Sequence, residues 1–180
     1  MIKQEIIDSG LIVDILNAKT MEDVFRLLQG CSFLGSFLAY QYTIDMNYSP
    51  YINFSENDFV KAGIGAIRGI KKCFLCYGNK CEDAIWYVKE HFNDLQKRYG
   101  YTSFHPLLGH EPTLIDLQNC FCETDKYLRA KMPELRIGNV RIKQKYMPHT
   151  DPIQFFFPPK WNIVEMYKYK PIVVPTLFDL

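Results

Sequence analysis

The sequence predicts an all-α protein. Over most of its 180 residues, apolar positions recur at the three-to-four-residue spacing of helices that bury one face. Hydrophobic residues make up 48% of the chain and charged residues 23%, a balance that excludes a disordered protein. At this length we expect a single helical domain over residues 1–180 with a sizeable core.

The first helices are expected between Ile2 and Gly30. Thr20 followed by Asp23 has the form of an N-cap with its partner three residues on, and Gly30 is suited to end a helix. Residues 33–46 are apolar over a length that favours a buried helix over a strand.

Residues 58–74 are the most informative segment. Apolar residues precede a Gly-Ile-Gly turn at Gly63 to Gly65, and a second helical stretch follows, which is the pattern of a helix-hairpin-helix. Glycines let a phosphate approach closely, and the N–H groups that open a helix have no partner within it. Gly69 lies where a tightly packed helix pair needs a small residue. The predicted DNA-binding residues are Gly63, Gly65, Arg68 and Lys71; the alternative is an ordinary helical corner.

The second half of the chain is predicted to contain two longer helices. One is amphipathic and runs from Glu82 to Arg98, and the other begins at Pro112 and Thr113 and ends near Ala130. A loop rich in Gly, Pro and His separates them. Residues 148–180 hold six prolines among aromatic residues, so we expect an extended tail packed on the domain.

The last of these helices has an unusual polar face. Acidic, amide and basic side chains follow one another at spacings of 3, 4 and 3 residues, which places them on one side of a helix. Such a set suits general acid–base chemistry or the reading of a base edge. We expect it to line a cleft facing the hairpin; the alternative is a solvated face with an ordinary ion pair. The predicted catalytic residues are Asp116, Asn119, Glu123 and Lys126.

The cysteines and the net charge limit what the protein binds. Cys73 and Cys76 form a Cys-x-x-Cys with Cys81 close behind, but they lie in an apolar stretch, so we expect core thiols and neither a metal nor another cofactor. The chain opens with charged residues rather than a signal peptide and has no membrane-spanning stretch, which predicts a cytoplasmic protein. A net charge of +1 means that any DNA contact depends on a local patch.

Four segments occur in an order that resembles a known family. They are residues 37–45, 62–70, 114–123 and 125–129, and the pairing of Gly-x-Gly-x-x-Arg-Gly with Asp-x-x-Asn-x-x-Cys-Glu-x-x-Lys-Tyr-x-Arg is far more specific than either half. Over about residues 30–147 the chain is similar to the family named for the 5-hydroxymethyluracil DNA kinase helical domain. That family is close to the alpha-glutamyl/putrescinyl-thymine pyrophosphorylases of phage DNA hypermodification. Both resemble helix-hairpin-helix DNA glycosylases in fold.

The resemblance implies an enzyme that displaces an activated phosphate or pyrophosphate from a thymine-derived base in DNA, with the base extruded from the stack. A kinase partner is implied, because the sequence contains no P-loop of its own. Asn119 would read a base edge, Asp116 or Glu123 would act as base, and Lys126 or Arg68 would stabilise the leaving group. The expected substrate pocket comprises Tyr40 and Tyr42 as stacking residues with Asp45 and Arg129 beside them. The alternatives are an excision glycosylase, with Glu82 or Asp83 as its acid, and a non-catalytic DNA-binding module that partners a kinase.

Overall fold

The computed structural model describes residues 3–106, 109–136 and 157–163, and these contain helices but no strand. After a π-helical segment at Lys3–Asp8, the helices are α1 Leu11–Asn17, α2 Met21–Gln29, α3 Ser36–Asn47, α4 Ile64–Cys73, α5 Glu82–Glu90, α6 Phe92–Arg98 and α7 Leu114–Lys131. Short 3₁₀ turns follow at Pro133–Leu135 and Pro159–Trp161. The predicted all-α class is confirmed. None of the described helices is long and apolar enough to cross a membrane.

Two helices begin at capping boxes: the predicted one at Thr20, and a second at Thr113 that the sequence analysis did not identify. The Thr20 Oγ1 accepts a hydrogen bond from the Asp23 N–H at 3.1 Å, and the Asp23 carboxylate accepts one from the Thr20 N–H at 3.0 Å. At α7 the Asp116 carboxylate accepts from the Thr113 N–H at 2.8 Å. Each box satisfies N–H groups that a helix leaves unpaired at its start.

The segment before Gly63 differs from the prediction, because residues 58–63 are not helical. Gly63 is therefore the N-cap of α4 rather than part of a turn between two helices. The buried Glu82 explains the path: its carboxylate accepts hydrogen bonds from the Ala62 N–H at 3.0 Å and from Lys61 Nζ at 2.9 Å. These bonds tether an irregular segment across the start of α5.

The predicted helix from Glu82 to Arg98 is also interrupted. It divides at His91, where the backbone leaves the helical region (φ −107°, ψ 17°). The His91 ring nitrogen Nδ1 lies 2.9 Å from the Tyr87 carbonyl oxygen. The side chain thus adds a contact to a carbonyl at the end of α5, and the chain restarts as α6.

Helices α4 and α7 approach each other closely through glycine. A Cβ atom on Gly69 would lie 2.0 Å from the Phe121 carbonyl oxygen, and one on Gly65 would lie 2.5 Å from Cys122 Sγ. The prediction that Gly69 permits a tight helix pair is confirmed. Gly65 takes part in the same contact, and its role in DNA binding stays a prediction.

Part of the predicted tail packs on the domain. Trp161 Nε1 donates to Glu56 Oε2 at 2.8 Å, and its ring stacks on His110 with centroids 3.9 Å apart. Lys160 Nζ donates to the Phe54 carbonyl at 2.9 Å. These contacts hold residues 157–163 against the end of α3. The rest of the tail predicted over residues 148–180 lies outside the described residues.

Candidate nucleic-acid interface

Helix α4 presents two contrasting faces. Gly65, Gly69 and Lys72 recur at helical spacing and face α7. Three residues on another side of the helix are more accessible: Ile64 is 62% exposed, Lys71 is exposed and Arg68 is half-buried. Arg68 and Lys71 make no ion pair with any described residue. Two of the four predicted DNA-binding residues, Arg68 and Lys71, are thus cations on one accessible face of α4 that pair with no described acid.

The amino ends of α3 and α4 are built alike. Gly63 (φ −72°, ψ 166°) and Gly35 (φ −66°, ψ 165°) are extended N-caps, and neither helix receives a hydrogen bond from a capping side chain. Ser36 and Phe37 at the start of α3 line the same small cavity as Ala62 and Gly63. Two partially positive helix ends therefore lie beside one cavity, a setting that favours oxygen-rich or anionic ligands.

This cavity has a volume of about 10 Å³, enough for one water-sized group. Tyr40 and Gln118 contribute buried polar groups to its wall, since they are 2% and 3% exposed. The Tyr40 hydroxyl and the Gln118 Oε1 have no hydrogen-bond partner among the described residues. The Lys61 backbone is near the Tyr40 hydroxyl but out of hydrogen-bonding geometry. Burial raises the pKa of Tyr40, so its hydroxyl keeps its proton.

The predicted stacking residues are not brought together. The Tyr40 ring is enclosed in the core, edge-on to Phe25 and Phe59 at centroid distances of 6.3 and 5.9 Å, so it offers no stacking surface. Tyr42 and Asp45 instead line a separate groove of about 430 Å³ with apolar walls against α1. Of this set, only Tyr40 lines the cavity beside α4.

The predicted catalytic stripe on α7 faces solvent instead of lining a cleft with α4. Asp116 belongs to the capping box, with His110 Nε2 3.4 Å from its carboxylate. Asn119 is exposed, and the Glu123 and Lys126 side chains are 67% and 56% exposed. Lys126 Nζ donates to the Glu123 carboxylate at 2.5 Å, and this bond raises the pKa of Lys126. The geometry matches the solvated ion pair; a catalytic role for the four residues stays a prediction.

The sequence analysis did not identify which polar residues of α7 face α4. Asp125 Oδ1 lies 2.7 Å from Lys72 Nζ, with both side chains only 2% exposed, and Asp125 Oδ2 lies 3.1 Å from Arg129 Nε. Arg129, predicted as a pocket residue, thus belongs to a buried ion-pair network. A second helical spacing could have identified this face, since Gln118, Cys122, Asp125 and Arg129 follow one another at intervals of 4, 3 and 4 residues.

The two acids considered for excision chemistry are both engaged by backbone N–H groups. Burial alone would raise the pKa of Glu82, but the hydrogen bonds from Lys61 and Ala62 outweigh it and hold that pKa below its ordinary value. Asp83 accepts hydrogen bonds from the Asn79 and Lys80 N–H groups at 2.9 and 3.1 Å. Both carboxylates therefore have structural partners.

The cysteine prediction needs correction. Cys73 and Cys76 are exposed at and beyond the end of α4, not buried in the core, because Cys73 is the last residue of the helix and Cys76 lies in the loop after it. Within the described ranges, no three His, Cys, Asp or Glu side chains lie close enough to hold a metal ion. The absence of a metal or other cofactor stays a prediction.

A family model described as "5-hmdU DNA kinase, helical domain" matches residues 1–137. The chain therefore belongs to this family. The resemblance predicted from about residue 30 is confirmed, and the match also takes in the helices before that residue. Neither the curated proteins nor the solved structures include a significant match to the chain.

Proposed function

We propose that this member of the 5-hmdU DNA kinase helical-domain family binds DNA that contains 5-hydroxymethyluracil and works beside a kinase activity. The family description names that modified nucleoside and that activity. The observation that carries the proposal is the uncapped amino end of α4, with Arg68 and Lys71 on an accessible face of the same helix.

Each part of this surface suits a DNA phosphate. The first N–H groups of α4 receive no acceptor from the Gly63 N-cap, and the helix dipole adds partial positive charge there. Helical side chains lean toward the amino end, so Arg68 reaches back over the first turn beside Ile64. Because the net charge is only +1, binding depends on this patch and falls steeply with salt.

The geometry supports a binding module better than the displacement enzyme that the resemblance implies. Displacement needs a positioned base and a site that holds the leaving group. Asn119, Glu123 and Lys126 lie in open solvent, where an ion pair contributes little. Excision is supported less as well, since Glu82 and Asp83 already accept backbone hydrogen bonds.

Substitution of Gly63 tests the proposal. In Gly63→Asp the new carboxylate caps α4, which adds a few tenths of a kcal/mol of stability, but it occupies the N–H groups and repels phosphate. We expect an unchanged or higher melting temperature with DNA affinity reduced about tenfold or more. Gly63→Ala is the matched control, because its Cβ lies at an ordinary 3.4 Å from Phe37 Cδ2 and brings no charge.

Charge reversal of Arg68 and Lys71 tests the same surface independently. The double variant should bind a hydroxymethyluracil oligonucleotide more weakly, and its salt dependence should fall by about one unit of slope for each lost phosphate contact. The matched control is the double variant Lys97→Glu/Arg98→Glu, which makes the same charge change on exposed residues of α6. Fluorescence anisotropy at several salt concentrations measures both effects. Undetectable binding by the wild type at low salt, or equal binding by all variants, would refute the proposed function.

A further inference from the structure

We propose that the cavity between Tyr40 and Gln118 holds the hydroxyl group of 5-hydroxymethyluracil and thereby distinguishes this base from thymine. The inference rests on the proposed function, because it concerns the same DNA and the same end of α4. It starts from two buried polar atoms, the Tyr40 hydroxyl and Gln118 Oε1, that have no hydrogen-bond partner among the described residues and belong to side chains that line a cavity of about 10 Å³.

The size of the cavity fits one oxygen atom. It is close to the smallest volume that holds a water molecule, so a pyrimidine ring cannot enter it. A hydroxyl at the end of a one-carbon arm can enter while the ring stays outside. In the absence of DNA, a water molecule would fit the cavity and satisfy the same groups.

The polar groups fit a hydroxyl and reject a methyl. The Tyr40 hydroxyl can donate, the Gln118 side-chain oxygen can accept, and a ligand hydroxyl does both at once. The opposite orientation of the Gln118 amide would present a donor, which a hydroxyl also satisfies. The thymine methyl would displace the water and leave both buried groups unpaired, which is the costly case.

The surroundings suit a base turned out of the DNA stack. Phe37 lines the cavity beside Gly63, and its ring is 57% exposed, so it can stack on a pyrimidine. The free N–H groups of α4 lie at the same place for the adjoining phosphate. A phosphorylated hydroxymethyl group is too large for the cavity, so the site fits the base before phosphorylation and not after it.

The test compares single-stranded oligonucleotides that differ only by thymine, hydroxymethyluracil or its phosphorylated form at one position. The wild type should bind hydroxymethyluracil about tenfold more tightly than thymine and more tightly than the phosphorylated base. Tyr40→Phe and Gln118→Met should each remove most of this preference, which is measured within each variant as the ratio of its affinities for the hydroxymethyluracil and thymine oligonucleotides. Tyr87→Phe, on α5 and 45% exposed, is the control that should keep the preference.

The outcomes separate the two proposals. DNA binding that needs Arg68 and Lys71 but does not discriminate the bases overturns the cavity assignment alone. The cavity assignment is also overturned if Tyr40→Phe and Gln118→Met both keep the preference for hydroxymethyluracil over thymine. Melting curves establish that the two variants are folded. If Tyr40→Phe does not fold, Gln118→Met decides the question. If the wild type binds no DNA, the proposed function fails and the cavity assignment fails with it.

Discussion

Two polar regions of this protein are built in opposite ways. Between α4 and α7, the Lys72 and Asp125 side chains are each 2% exposed and paired at 2.7 Å, Asp125 also lies 3.1 Å from Arg129 Nε, and glycine brings the backbones together. At the amino ends of α3 and α4, Tyr40 and Gln118 are equally buried and unpaired beside a cavity. An unpaired buried polar group costs about 1–3 kcal/mol. We therefore expect the first region to stabilise the fold, whereas we propose that the second holds a ligand.

The largest effect is expected from breaking the paired region. Asp125→Ala leaves Lys72 and Arg129 charged and buried without their shared carboxylate, which should lower the free energy of unfolding by about 3–5 kcal/mol. Urea denaturation followed by circular dichroism measures it. The double variant Lys72→Met/Asp125→Leu leaves one charge, that of Arg129, without the carboxylate instead of two, so it should regain part of the loss. A loss below about 1 kcal/mol in the single variant would contradict a buried, stabilising network.

The glycine contact should be the next most sensitive. In Gly69→Ala the added Cβ meets the Phe121 carbonyl oxygen at 2.0 Å, and backbone cannot rotate away as a side chain can. We expect a loss of about 3 kcal/mol, the upper end for overpacking. Gly35→Ala is the control, since nothing lies within 4 Å of its added Cβ. Thermal unfolding of the two variants compares them, and equal melting temperatures would refute the close helix contact. Gly65→Val would disturb the same interface, so a loss of DNA binding in it would report unfolding.

The sequence predicted the features that depend on neighbouring residues. The Thr20 cap needs only a partner three residues away, and Gly69 needed only helical spacing. The irregular path before Gly63 could not be predicted, because Glu82, some twenty residues further on, holds it in place. Helical periodicity also cannot decide which of two polar stripes on α7 is buried. The stripe through Glu123 and the one through Asp125 have equivalent spacing, and only the packing of α4 distinguishes them.

The tether of Glu82 should produce a measurable pH dependence. Glu82→Gln loses the ion pair with Lys61, which should cost about 1.5 kcal/mol at pH 7. The folded state lowers the pKa of Glu82 below its ordinary 4.5, so the carboxylate stabilises the fold above that pH. As the pH falls through the lowered pKa, the carboxylate is protonated and its contribution disappears. The stability difference between wild type and variant should therefore shrink below about pH 4.5, as urea titrations at each pH would measure. A difference that stays constant down to pH 3 would contradict the tether.

The smallest effect on stability should come from the exposed stripe, where Glu123→Gln removes only a helix-surface ion pair. The Glu123 and Lys126 side chains are more than half exposed, so the loss should be at most about 0.5 kcal/mol. We expect DNA affinity and base preference to match the wild type, since these residues lie on the far side of α7 from the cavity wall.

The Glu123→Gln variant also tests the chemistry that the resemblance implies. Wild type and variant can be incubated with DNA carrying phosphorylated hydroxymethyluracil and an amine, and the nucleosides then analysed by mass spectrometry. If the wild type converts the base and a fully folded Glu123→Gln does not, the active site lies on the outer face of α7. The protein would then have a third, catalytic surface besides the structural region and the ligand-binding region.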